Sequence, residues 1–172
     1  MFKIMKNNTN DQIQIQHHRI PPVYDNKSKV LILGSFPSVK SREANFYYGH
    51  PKNRFWKLIS AIFEAELPQT ESKKRSVLLL NNIALWDVVA MCKIKGSSDT
   101  SISDVVPNDI ETILKCANIE KIFFNGKTAQ KLYDKHFGCK IKIPVYTLPS
   151  SSPANASYTF ERLLEEWSEI KR

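Results

Sequence analysis

What most constrains this chain is the way short aliphatic runs alternate with amphipathic stretches. Lys29-Val30-Leu31-Ile32-Leu33 is aliphatic and β-branched and stops at Gly34, the pattern of a strand buried on both faces. Phe55, Leu58, Ile59, Ile62 and Phe63 then fall at i, i+3, i+4, i+7 and i+8. That spacing predicts one apolar face of a helix over 54–66, ended by Pro68. A second helix is expected over 71–82 and a buried strand over 83–89. Residues 92–106, which include Gly96-Ser97-Ser98-Asp99, read as a long polar connection. Pro107 suits the first turn of a helix carrying Ile110, Ile113 and Leu114 on one face. A strand follows over 119–125, then a helix over 127–137 stopped at Gly138. A strand over 142–148 and a last helix over 157–170 complete the series. Strands alternating with helices predict an α/β fold: a three-layer α/β/α sandwich around a central, mainly parallel four-stranded sheet.

Length and composition narrow the classes. The 172 residues can bury a sizeable core as one domain, expected over 19–172. Residues 1–18 are polar and rich in Asn and Gln, and read as a loosely ordered leader. The chain carries 25 Lys and Arg against 17 Asp and Glu, a net charge of +8, which favours a polyanionic partner. Cys92, Cys116 and Cys139 form no CxxC pair, and His17, His18, His50 and His136 are not clustered with them. No structural metal, iron–sulfur cluster or other cofactor is expected. No stretch has the length of a membrane span or the apolar core of a signal peptide, so the expectation is a soluble, cytoplasmic monomer.

On a sheet of this kind ligands sit beyond the carboxyl ends of the strands. The loops after Leu33, Val89, Asn125 and Leu148 gather there, and they carry the Gly, Ser, Pro and Asn. Gly34-Ser35-Phe36-Pro37-Ser38 matches neither GxGxxG nor GxxxxGK[ST] and on spacing alone is a tight turn. Asn53 stands directly before the helix and is a suitable N-cap. Tyr48 and His50 belong to the intervening loop. Gly126 and Lys127 open a helix whose backbone N–H groups suit phosphate. Asp87 is either a turn former or a contact to base or water, and Gly96-Ser97-Ser98-Asp99 either a connection or a contact to a nucleic-acid backbone.

Three strings in order, GSFPS, FYYGHPKNRFW and LPSSSPANA, resemble the uracil-DNA glycosylase superfamily and, within it, the DNA-deoxyinosine (hypoxanthine-DNA) glycosylase branch. The resemblance runs from about residue 21 to the end of the chain. Many members carry Asp or Asn at the third position of the first turn to place the hydrolytic water. Phe36 stands there and can do neither. The deoxyinosine branch similarly lacks that group, and the resemblance implies that Asn53 is catalytic. It further implies that Tyr48 stacks on the extruded base, that Ser150 replaces a histidine of other members, and that Ser151 to Asn155 form the tip of a wedge entering the duplex.

The base pocket is accordingly expected to include Gly34, Ser35, Phe36, Tyr48 and Asn125. Contacts to DNA are expected from Ser38, His50, Lys52 and Lys127, and from Ser150, Ser151, Ser152, Pro153, Ala154 and Asn155. The implied activity is a metal-free glycosylase acting on DNA containing deaminated bases. It flips the target nucleotide, which takes a few kcal/mol, and hydrolyses the glycosidic bond of hypoxanthine. No lysine is placed as a Schiff-base nucleophile, so lyase activity is not expected. Two other readings fit the same strings: a mismatch-specific uracil or thymine glycosylase, and a damaged-DNA-binding module with weak catalysis. A binder of nucleotides or sugar phosphates on a generic α/β sheet is a further class.

Overall fold

The computed structural model describes residues 12–138 and 140–172. Its centre is a parallel sheet of four strands, β2 (Val30–Gly34), β3 (Ile83–Asp87), β6 (Lys121–Asn125) and β7 (Val145–Leu148), in the order β3-β2-β6-β7. Alternate side chains divide between two cores, as the pleat requires. Ile32, Leu85 and Phe123 face α2 (Phe55–Ile62), α3 (Glu71–Leu80) and α6 (Phe160–Trp167). Leu31, Leu33, Ala84, Ile122 and Phe124 face α4 (Glu111–Cys116) and α5 (Lys127–Phe137). The three-layer arrangement and the parallel sheet are as the sequence pattern predicts.

The second layer also holds a sheet that the sequence pattern did not suggest. Strands β1 (Ile13–His17), β4 (Val89–Lys95) and β5 (Ser103–Pro107) pair antiparallel in the order β1-β4-β5. The polar connection expected over 92–106 is therefore a hairpin. Cys92 and Ile94 point into the core while Lys93 and Lys95 point out, and the outward lysines gave the stretch its polar look. The leader expected over 1–18 is likewise corrected within the described residues: Ile13 to His17 pair with Lys95 to Met91. Residues 1–11 and Cys139 lie outside the description. Pro107 ends β5 rather than opening a helix, and α4 begins at Glu111. A short helix, α1 (Val39–Ala44), interrupts the loop after the first turn, with the Ser38 hydroxyl accepting the Ser41 N–H.

The apolar face of α2 is the one the spacing predicts, with Phe55, Leu58 and Ile59 fully buried. The helix stops at Ile62, before the left-handed Glu64. The last helix likewise starts later than expected, at Phe160, where Thr159 caps it through the Arg162 N–H. Trp167 of α6 is fully buried, lies edge-on to Phe55 at 5.7 Å, and donates its indole N–H to the Pro149 carbonyl. This one side chain joins the core to the loop beyond β7. Among the described residues no helix is long and apolar enough to cross a membrane, and no group of three or more His, Cys, Asp or Glu is arranged to hold a metal ion. Cys92 and Cys116 are unpaired thiols. Replacing Trp167 with Ala removes both packing and a hydrogen bond, and is expected to lower the unfolding free energy by about 3–5 kcal/mol in chemical denaturation.

Candidate functional site

Parallel register brings the carboxyl ends of all four strands to one level. Gly34 sits beside Asp87, Leu33 beside Phe124, and Asn125 beside Leu148. The loops that follow enclose a cleft of about 920 Å3, at the place where ligands bind on open α/β sheets. Every residue that the sequence assigned to the site except Lys52 lines this cleft, although the structure gives several of them other work.

Asn53 lies at the start of α2. Its Oδ1 accepts the Phe55 backbone N–H at 2.9 Å, but the N-cap position of the helix belongs to Arg54, so Asn53 stands one residue before the cap expected of it. The same oxygen accepts the Ser151 hydroxyl at 3.0 Å. The Ser151 hydroxyl in turn accepts from Asn125 Nδ2 at 2.9 Å, and the Ser151 N–H donates to Asn125 Oδ1 at 2.9 Å. A buried serine thus ties the helix start to the end of β6. Asn53 Nδ2 has no hydrogen-bond partner among the described residues. A carbonyl oxygen with two acceptor sites both occupied has little left with which to take a proton. The amide therefore meets the cleft as a donor.

Ser151 is fully buried, which corrects its expected place at the exposed tip of a wedge. The exposed tip is Pro153 and Ala154. The loop behind it is folded on itself: the Ser150 hydroxyl accepts the Ser152 N–H, the Ser152 hydroxyl accepts the Ala154 N–H, and Asn155 Nδ2 donates to the Ser150 carbonyl. Arg54 holds the whole segment. Its guanidinium donates to the carbonyls of Ser151, Ser152, Asn155 and Tyr158, and its backbone N–H donates to Ser151 as well. No local spacing announces this cradle, because its acceptors lie 97 to 104 residues further along the chain.

Consecutive tyrosines are split between core and cleft. Tyr47 is buried and donates its hydroxyl to the Ile20 and Pro21 carbonyls. Tyr48 adopts a left-handed backbone, φ 53°, a conformation that is strained for a bulky residue, and stacks on Phe55 with ring centroids 4.0 Å apart. The Tyr48 hydroxyl is buried near Asp87 and Asn125. Loss of solvation, reinforced by the Asp87 carboxylate, pushes its pKa well above that of free tyrosine, so it stays a neutral donor.

The first turn is occupied differently from expectation. Phe36 is buried, edge-on to the His18 ring at 6.0 Å and beneath the Arg42 guanidinium at 5.6 Å. Ser35 is buried too and donates its hydroxyl to Asp99 Oδ1 at 2.8 Å. Ser38 serves as the cap of α1. Gly34 has a specific reason to be glycine: a Cβ there would stand 2.2 Å from Asp87 Oδ1. The other carboxylate oxygen, Asp87 Oδ2, is 2.8 Å from His18 Nε2, and both side chains are buried. Sequence reasoning missed His18, which it placed in the leader, along with Arg54 and the Ser35–Asp99 bond.

Around the rim, His50 Nδ1 accepts the Lys52 N–H while Lys52 and Lys127 are exposed. Lys127 is the first residue of α5, behind Gly126 at φ 96°. A Cβ on Gly126 would also press on Ser150 Cβ at 3.1 Å, so strand end and loop can meet only at a glycine. Replacing Arg54 with Lys substitutes a point charge for a planar fork and leaves loop carbonyls unsatisfied. Amide hydrogen exchange over 150–156 is expected to accelerate by about tenfold or more, with a stability loss of about 2 kcal/mol.

The chain and its fold have counterparts among known proteins. The model of the uracil DNA glycosylase superfamily matches residues 21–171. A hypoxanthine DNA glycosylase of Methanosarcina barkeri is 37% identical over 139 residues, covering 78% of this chain and 85% of that protein. One from Methanosarcina acetivorans is 36% identical over 154 residues, covering 88% and 96%. The solution NMR structure of a Methanosarcina acetivorans protein assigned as a uracil DNA glycosylase superimposes with a TM-score of 0.78 at 32% identity, over 92% of this chain and 98% of that one. The chain belongs to the uracil DNA glycosylase superfamily.

Proposed function

We propose that this protein is a monofunctional DNA glycosylase that removes hypoxanthine from deoxyinosine in DNA. The observation that supports the reading most is the Asn53 amide. It is fixed through Oδ1 and turns only its donor nitrogen to the cleft, beside a first turn whose Phe36 is packed away. Hypoxanthine leaves with the electron pair of the C1′–N9 bond and develops negative charge. A pre-oriented amide N–H stabilises that charge without rearranging during the reaction. Tyr48, supported from behind by Phe55, offers a stacking surface worth about 1–3 kcal/mol per base. The names of the two relatives at 36% and 37% identity point to the same base.

The exposed Pro153–Ala154 tip enters the space the base vacates. Lys52, Lys127 and the rim hydroxyls meet phosphate oxygens. The enzyme acts as a monomer, in the cytoplasm, without metal or cofactor. In single-turnover excision on a duplex containing deoxyinosine, Asn53→Ala is expected to slow release of free hypoxanthine by about 100-fold or more. Cleavage at the wild-type rate contradicts the role given to Asn53. Affinity of the unaltered protein for the duplex is expected to fall linearly on a log–log plot against salt. A flat response favours a small nucleotide as ligand.

A further inference from the structure

Hydrolysis needs an acceptor for the proton of the attacking water. Asn53 is a poor candidate, because its oxygen already accepts two hydrogen bonds. Phe36 offers nothing, and its ring is packed between His18 and Arg42. Among the described residues the carboxylates lining the cleft are Asp87, Asp99 and Glu166. Asp87 is buried, paired with His18 through one oxygen and set against Gly34 with the other. Glu166 belongs to α6, which follows the loop beyond β7.

Asp99 is placed differently. It opens a 3-10 turn, Asp99–Ser101, at the end of the β4–β5 hairpin. That hairpin is fastened over the first turn at three points. The Ser35 hydroxyl donates to Asp99 Oδ1 at 2.8 Å, the Val39 N–H donates to the Ser97 hydroxyl at 2.9 Å, and Arg42 donates to the carbonyls of Pro37 and Gly96. Asp99 Oδ2 has no hydrogen-bond partner among the described residues, and the residue is exposed to solvent from the cleft. A carboxylate is thereby held at the first turn by Ser35, the residue next to Phe36, although it comes from an element 64 positions away.

We propose that Asp99 is a catalytic residue of the glycosidic hydrolysis, accepting the proton of the attacking water and facing the positive charge that develops on the sugar. In the step, the C1′–N9 bond breaks and its electron pair leaves with the base. The water oxygen bonds to C1′, the water proton passes to Asp99 Oδ2, and Asp99 later returns it to solvent or to the departed base. No oxidant, metal or covalent enzyme intermediate is needed. The surroundings suit a base. Partial loss of solvation raises the Asp99 pKa above the ordinary carboxylate value; the Ser35 hydroxyl opposes this rise, and the Asp87 carboxylate on β3 adds to it. Tyr48, from the loop after α1, and Cys92, from β4, face it as neutral groups whose own pKa values are raised by burial. The Arg42 cation is directed to the Pro37 and Gly96 carbonyls.

The proposal rests on the glycosylase reading and is tested apart from it. The unaltered protein, Asp99→Asn, Asp87→Asn and Ser35→Ala are compared in single-turnover release of hypoxanthine from a deoxyinosine duplex across the acid to neutral range. Duplex affinity and melting temperature are followed in parallel. The unaltered enzyme is expected to gain activity with rising pH through an inflection above the ordinary carboxylate range. Asp99→Asn is expected to be about 100-fold slower near neutral pH and to lack that inflection, with affinity and melting temperature retained. Ser35→Ala is expected to move the inflection to higher pH, since it removes the bond that holds the Asp99 pKa down. An Asp99→Asn enzyme that keeps its rate or its inflection overturns the proposal, as does a loss confined to Asp87→Asn. Failure of the unaltered protein to release hypoxanthine strikes the glycosylase reading instead.

Discussion

A loop proposed to enter a duplex has to keep its shape without water to satisfy its backbone. In this protein the solution is the pair Asn53-Arg54. The Arg54 guanidinium takes four carbonyls of the segment 151–158, in the fixed fork geometry that suits it to multiple acceptors. Asn53 takes the Ser151 hydroxyl, and through it Asn125. Adjacent residues of one helix start therefore hold the loop, the end of β6 and the candidate catalytic amide in a single network. Hydrogen bonds to a charged group are worth about 1.5–3 kcal/mol each, enough for the network to behave as one body. On the proposed reading, entry of the loop into DNA and placement of the amide are then one event rather than two.

The rest of the site follows from how space is shared around that network. Trp56 donates its indole N–H to the Tyr47 carbonyl, and Tyr47 in turn reaches the Ile20 and Pro21 carbonyls. That anchoring leaves Tyr48 in a left-handed backbone against Phe55. Strain of this sort costs about 1–3 kcal/mol and persists only where neighbours over-determine it. On the wall that the Tyr48 hydroxyl meets, His18 and Asp87 form a buried pair that excludes any side chain larger than glycine at position 34. Strand β1 delivers His18 to that wall, so the antiparallel sheet contributes to the cleft as well as to the core. Its hairpin contributes again at the rim through Asp99.

Much of the fold was legible because its signals are local. The aliphatic run ending at Gly34, the i, i+3, i+4 face of α2 and the strand–helix passage at Asn125-Gly126-Lys127 each fix an element within a few residues. Their parallel pairing then places the cleft without further information. The antiparallel sheet was not legible for a physical reason. Ile13-Gln14-Ile15-Gln16 alternates with period two, but it is an edge strand whose isoleucines remain more than half exposed, so its pattern carries little weight beside a polar, Asn-rich stretch. In β4 the outward lysines conceal Cys92 and Ile94. Site residues divide in the same way. Asn53 and Tyr48 stood out through resemblance to known strings, and Asn53 also through its place before a helix. Arg54, His18 and Ser35–Asp99 depend on partners 64 to 104 residues away, and Ser151 looks like one more serine of a surface loop until its burial is seen.

The placement of the Asn53 amide against the flipped base is tested most directly by a crystal structure of the unaltered protein on a duplex bearing 2′-fluoro-2′-deoxyinosine, whose glycosidic bond resists hydrolysis. The hypoxanthine ring is expected in the cleft, stacked on Tyr48, with Asn53 Nδ2 at hydrogen-bonding distance from it and Pro153–Ala154 in the vacated stack. A base that remains paired, or one that sits in the cleft with the Asn53 amide nitrogen beyond hydrogen-bonding reach, contradicts it.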